Sequence, residues 1–175
     1  MLAIKTWVVN PYKIPSASME PTLHCARPGA GCEARFSDRV LANRFIYRFR
    51  DPHRGEIVVF KTPPAAKQDC GEGGTFVKRL IGLPGDLIYE NEQGFISVNH
   101  KKLDEPYIHA KRRERDVANR KETWRVPPGH YFFMGDNRGD SCDSRVWGPV
   151  PRDSLIGSMV ARYWPPERIS VGSPD

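Results

Sequence analysis

Long apolar runs are missing from this 175-residue chain. The N-terminal stretch, residues 1–9, is short and broken by Lys5, far below the roughly 20 apolar residues that a membrane-crossing helix needs. As written, the chain reads as soluble or peripherally attached. Cysteine is scarce: Cys25, Cys32, Cys70 and Cys142 form no C-x-x-C pair, which argues against a zinc site. A metal-spaced His/Asp/Glu cluster and a Gly-rich phosphate loop are both missing, so no metal and no cofactor are expected. Also missing are a helix-turn-helix pattern and an RNA-binding aromatic signature. The net charge of +6 therefore favours an anionic membrane surface over nucleic acid as partner.

What is present points to a β fold. Sixteen prolines and fifteen glycines favour turns and strands over long helices, and the length suits one domain with a real core. The expectation is a mostly β, largely antiparallel domain with long loops and little helix. Strands are expected over residues 38–43, continued by the alternation at 45–49, then over 56–61, 75–81, 87–89, 95–98, 131–134 and 155–164. Residues 91–94 turn the hairpin between 87–89 and 95–98. Residues 62–74, with Pro63-Pro64 and three glycines, read as a loop. So does 101–125, where seven of the fifteen residues from 111 to 125 are basic.

Chemistry concentrates in three places. Ile14-Pro15-Ser16-Ala17-Ser18-Met19-Glu20-Pro21-Thr22 sets two serines between two prolines, which fix φ and remove backbone donors, so it reads as a stiff extended loop that presents a hydroxyl. Small residues there admit another backbone, and Met19 offers an apolar wall. A serine needs a neighbouring base to take its proton. Over residues 75–81 the two-residue period puts Phe76, Lys78 and Leu80 on one face and Val77, Arg79 and Ile81 on the other. Lys78 thus sits between two apolar side chains, where desolvation disfavours a lysine's charged form. The loop 135–145 carries Ser141, able to hydrogen-bond an amine, and Asp143 with Arg145, able to pair and fix the loop. Other arrangements fail: Gly139-Asp140-Ser141 lacks the Gly-Gly-Pro that follows a chymotrypsin-like nucleophile, and no S-x-x-K exists.

Four segments in one order resemble the bacterial type I signal peptidases, the leader peptidases with a serine-lysine dyad. They are the serine stretch from Ile14 to Thr22, Arg54-Gly55-Glu56-Ile57-Val58-Val59-Phe60, Lys78-Arg79-Leu80-Ile81-Gly82-Leu83-Pro84-Gly85-Asp86, and Gly135-Asp136-Asn137 through Ser141 to Asp143-Ser144-Arg145. The resemblance implies Ser18 as nucleophile and Lys78 as general base. It implies Ser16 beside the oxyanion, Ser141 orienting the lysine amine, and Asp143–Arg145 as a structural ion pair; Asp136 and Asn137 match by position only. It further implies a hydrophobic groove, for which Ile14, Pro15, Met19 and Phe76 are candidates, and preprotein substrates cut after small residues in an Ala-X-Ala pattern. The expected setting is the cell inner membrane, with the catalytic domain on the extracytoplasmic face and acting as a monomer.

Members of that family carry membrane spans before the serine loop, so residues 1–13 are read as the remnant of such an anchor, 14–170 as the catalytic domain and 171–175 as a tail. Trp7, Met19 and Trp164 are expected to dip into the lipid interface. Cys25 and Cys32 bracket an insertion that reshapes the groove locally, either as a disulfide-closed loop or with free thiols. Alternatives are a LexA-like self-cleaving domain, a conjugation-type processing peptidase, and a catalytically silent β domain that binds anionic lipid or nucleic acid through its basic loop.

Overall fold

A computed structural model describes residues 9–71, 73–113 and 121–172. Among the described residues, twelve strands form two antiparallel sheets. The larger runs β1 (Val9–Lys13), β2 (Arg39–Asn43), β11 (Leu155–Trp164), β3 (Ile57–Lys61), β4 (Thr75–Gly82), β9 (His130–Met134) and β10 (Val150–Pro151), with β12 (Ser170–Val171) also on β11. The smaller runs β7 (Lys101–Lys102), β6 (Ile96–Val98), β5 (Leu87–Glu90) and β8 (Glu122–Arg125). The mostly antiparallel β reading of the sequence is what the chain adopts.

The apolar content of each strand decides its place. In β3, Ile57, Val58, Val59 and Phe60 are all fully buried, as a strand covered on both faces must be. The long β11 lies between β2 and β3, so the last long strand fills the middle of the sheet. Alternation along β4 holds: Phe76 and Leu80 join the cluster of Val58, Phe60 and Phe133, whereas Ile81 joins a separate cluster with Ile88, Ile96, Val126 and Phe132 between the two sheets. Gly82 ends β4 where that second cluster is tightest. A Cβ there would stand 2.4 Å from Ile88 Cδ1 and 2.9 Å from Phe132 Cβ, so a side chain would force the sheets apart.

Several local expectations are corrected. Residues 45–49 do not continue β2. The Asn43 side-chain oxygen accepts the N–H groups of Phe45 and Ile46 at 2.9 and 3.2 Å, and this local bond turns the chain into a 3-10 turn, Ile46–Arg48. The stretch 62–74 contains an α-helix, α1 (Pro64–Cys70). Pro64 occupies the first helical position, where its missing N–H costs nothing, and Gly71 closes the helix with φ +69°. The polar segment 101–125 includes β7, a short helix at Ala110–Arg113 and β8, with Trp124 of β8 packing its ring 5.2 Å from Phe132; residues 114–120 lie outside the described residues. The hairpin of β5 and β6 forms as expected, with Gly94 N–H bonded to Asn91 O at 2.9 Å. Of the segment 1–13, residues 1–8 lie outside the described residues, and residues 9–13 are β1, paired with β2 from Val9↔Asn43 to Lys13↔Arg39.

Two disulfides form, Cys25–Cys32 and Cys70–Cys142. The first closes the insertion after the serine loop. The second ties α1 to the loop that follows β9.

Candidate active site

The serine stretch is not fully extended. Ser16 is extended, and Ala17–Met19 then makes one 3-10 turn, with Glu20 N–H bonded to Ala17 O at 3.0 Å. Ala17 and Met19 are buried on either side of the half-buried Ser18, so their packing, rather than proline stiffness alone, fixes the turn. Met19 is 1% exposed, which overturns the expectation that it dips into lipid. Trp7 lies outside the described residues. Trp164 is 37% exposed, its ring edge-on to Phe36 at 6.1 Å.

The loop after β9 clamps this turn. Asn137 donates its backbone N–H to Ser18 O at 3.1 Å and its side-chain amide to Ala17 O at 3.0 Å. Gly135 permits the approach: a Cβ there would lie 2.3 Å from Ser141 Oγ and 2.4 Å from Ser18 O. Only a residue without a side chain fits between them.

Lys78 projects from β4 and is 3% exposed. Its Nζ donates to Ser141 Oγ at 3.1 Å, and Ser141 donates in turn to Asp143 Oδ2 at 2.8 Å. Asp143 also accepts the Gly135 N–H at 3.0 Å and a bidentate pair from Arg145, Nε to Oδ1 at 2.9 Å and Nη2 to Oδ2 at 3.0 Å. Burial alone would push the Asp143 carboxyl up. The Arg145 guanidinium, with help from Lys78 and the Gly135 N–H, outweighs it and holds the carboxyl below its ordinary range. Arg145 also lies 3.4 Å from Glu90, whose carboxyl burial pushes up.

Ser16, Ser18, Lys78 and Ser141 line one cavity of about 1010 Å³, and so do Ile14, Pro15, Met19 and Phe76. The Ser16 and Ser18 hydroxyl oxygens are 3.4 Å apart. The Cys25–Cys32 insertion reaches the same cavity through Ala30. The dyad, orienting and groove candidates named from the sequence all line this groove, and Asp143 and Arg145 lie directly behind Ser141.

Sequence reasoning missed the support on the other face of β4. Arg79, 2% exposed, forms a bidentate pair with buried Asp136, Nε to Oδ1 at 2.9 Å and Nη2 to Oδ2 at 2.8 Å, and Thr22 donates to the same carboxylate at 2.6 Å. The signal was two adjacent cations inside an apolar strand: a buried arginine needs a carboxylate, and Asp136 follows the next apolar strand. Also missed was Asn137 as a clamp. Among the described residues, Glu20, His24 and Glu33 bring possible metal-ligand atoms within 4.8 Å of one another. They already have protein partners: Glu20 accepts the Cys25 N–H at 3.1 Å and contacts His24, and Glu33 pairs with Arg112. None of the three lines the groove.

The family described as signal peptidase, peptidase S26, matches residues 1–164. The chain belongs to this signal peptidase family. It is 41% identical to a probable signal peptidase I-2 of Synechocystis over 99% of this chain and 72% of that protein. It is 33% identical to thylakoidal processing peptidase 1, chloroplastic, of Arabidopsis thaliana, over 97% of this chain and 46% of that protein. Among solved structures, a signal peptidase I from Enterococcus faecalis superposes with a TM-score of 0.52 at 30% identity, covering 63% of this chain and 98% of that one. This signal peptidase is thus an endopeptidase that removes signal peptides from preproteins, not a silent binding domain. Its family is membrane-associated, and no described helix is long and apolar enough to cross a membrane.

Proposed function

We propose that Ser18 is the nucleophile and Lys78 the general base of a serine endopeptidase that cuts preproteins after small residues in an Ala-X-Ala pattern. The observation that carries this reading is the hydrogen-bond chain from Lys78 through Ser141 to Asp143, in the same groove as Ser18. Ser141 Oγ spends its own proton on Asp143, so it accepts one N–H of Lys78 and fixes the amine's direction. A neutral Lys78 so aimed takes the Ser18 proton on its lone pair as Oγ attacks the scissile carbonyl carbon. The oxyanion that forms is met by the Ser18 N–H and the Ser16 hydroxyl, a contribution of a few kcal/mol in such sites. Collapse breaks the peptide bond, the Lys78 ammonium returns the proton to the leaving amine, and water deacylates Ser18 with Lys78 again as base.

Small substrate side chains suit a groove walled by Ile14, Met19 and Phe76. The enzyme acts as a monomer at the cell inner membrane, on the extracytoplasmic face, with Trp164 and its neighbours against lipid. Support comes from the exposed aromatic cluster at Phe36 and Trp164, flanked by Arg39, whose guanidinium stands 6.0 Å from the Trp164 ring.

The test is cleavage of an Ala-X-Ala signal-peptide substrate in detergent across a pH series. Ser18→Ala and Lys78→Ala should each cost at least roughly a thousandfold, and the parent should gain activity as pH rises and the base loses its proton. Activity that survives Lys78→Ala would remove that residue from the role of base.

A further inference from the structure

A second cavity, of about 690 Å³, opens where β2 and β3 end and β11 begins. Its wall carries four cationic side chains, Arg44, Arg48, Lys61 and Arg152, against one carboxylate, Asp153. Arg152 is partly committed, with Nη1 2.9 Å from Asp51 and Nη2 donating to Tyr47 O at 3.0 Å. The other three have no carboxylate within ion-pair distance among the described residues, and Arg48 lies instead 5.0 Å over the Phe45 ring. Cations grouped around one concave site repel one another, and an entering anion relieves that repulsion.

The rim of this cavity is aromatic. Phe45 and Phe49 are 37% and 74% exposed, with rings edge-to-face at 4.9 Å. The same short turn therefore places cations in the cavity and apolar rings beside it. This arrangement matches a lipid interface, where phosphate lies just outside the hydrocarbon boundary.

Its position relative to the groove follows from strand register. One cross-strand row runs Val9, Asn43, Ser158, Val58, Lys78. The cavity lies on the side of that row towards Lys61, whose partner across the ladder, Thr75, lines the serine groove. Trp164 pairs with Arg39 at the other end of β2, about 13 Å from Asn43 at the usual strand rise.

We infer that this cavity binds the phosphodiester headgroup of an anionic phospholipid, with Phe45 and Phe49 entering the acyl boundary beside it. The inference rests on the membrane-surface reading above and adds a headgroup site to it. Phosphate oxygens suit the guanidinium forks of Arg44 and Arg48 and the point charge of Lys61. A soluble phosphate offers the same anion but leaves the two rings in water, which is why the lipid is favoured.

The experiment is cosedimentation of the full chain with phosphatidylcholine vesicles that contain or lack phosphatidylglycerol. Binding should require phosphatidylglycerol and weaken roughly fivefold for each cavity charge removed in Arg48→Gln with Lys61→Gln. The control pair Lys101→Gln with Lys102→Gln removes the same charge from β7 and should bind nearly as the parent does. Phe45→Ser with Phe49→Ser should lose vesicle binding but keep NMR shifts on titration with glycerol phosphate. Equal losses from both lysine-bearing pairs would reduce the effect to net charge and overturn the site. Vesicle binding without phosphatidylglycerol would also overturn it, as would glycerol phosphate binding in a protein that ignores vesicles. None of these residues touches Ser18 or Lys78, so cleavage in lipid-free detergent reads the enzyme separately. Loss of cleavage in the parent would count against the dyad, not against the cavity; were the cavity pair to unfold, Arg44→Gln carries the same comparison.

Discussion

Ser141 stands between Lys78 and Asp143 as a one-way relay: it donates its only proton to Asp143 Oδ2 at 2.8 Å and accepts from Lys78 Nζ at 3.1 Å. A hydroxyl so committed cannot protonate the lysine. It can only point it.

Ser141→Ala should therefore leave a base of the right kind with the wrong aim. Losing a hydrogen bond to a potentially charged group amounts to about 1.5–3 kcal/mol, or on the order of tenfold to a hundredfold in rate. The loss should fall on kcat, with KM nearly unchanged, because Ser141 orients the amine more than it holds substrate. Steady-state kinetics on a signal-peptide substrate decide this; a change confined to KM would make Ser141 a substrate contact instead.

Arg145 has a second duty besides bracing the loop. Its guanidinium answers the buried Asp143 charge, which would otherwise favour the ammonium form of Lys78 two bonds up the chain. Arg145→Met should shift the acid limb of the pH–rate profile to higher pH and cost about 3–5 kcal/mol in stability, as breaking one half of a buried pair does. Paired with Asp143→Asn, the limb should move back.

The same carboxyl predicts how stability falls in acid. Asp143 has a folded-state pKa below its unfolded value, so the unfolded chain binds its proton first as pH drops. The stabilisation is complete above the ordinary aspartate pKa of about 3.9 and is lost as pH falls through the lower, folded-state value. Urea melts between neutral pH and pH 3 should show this slope in the parent and a flatter one in Asp143→Asn.

How much of this was legible beforehand depended on the distance over which residues act. The apolar runs of β3 and β9 announced themselves, because a strand buried on both faces leaves no alternative pattern. Residues 45–49 alternated like a strand, yet one side chain, Asn43, captured two backbone donors and turned the chain. Pro63-Pro64 read as loop, although a proline at a helix's first position is no obstacle. Ser18, Lys78, Ser141, Asp143 and Arg145 were named as candidates through four ordered segments resembling one family. Arg79–Asp136 and the Asn137 clamp were not, because each joins residues 57 or more positions apart and no local pattern records the partner.

Cys70–Cys142 joins residues 72 positions apart. In the chain-entropy account, a loop of that length constrains the unfolded state by about 4 kcal/mol. Cys70→Ala with Cys142→Ala should lower the melting temperature by roughly ten degrees for a chain of this size, and reductant should then act on the variant only through Cys25–Cys32. Equal melting of parent and variant would leave α1 held by its packing alone.

Gly135→Ala is the most selective probe of the site. Its Cβ would meet Ser141 Oγ and Ser18 O at once, both nearer than 2.5 Å, so relief requires moving the Ser18 turn, Ser141, or both. Displacements near 1 Å in a catalytic array cost on the order of a hundredfold, whereas one extra methyl in a packed interior costs about 1–3 kcal/mol in stability. Activity should accordingly fall much further than the melting temperature suggests, with the fold retained by circular dichroism. A variant that keeps full activity would mean that the loop after β9 yields without disturbing Ser18, and that the clamp by Asn137 does not set the position of Ser18.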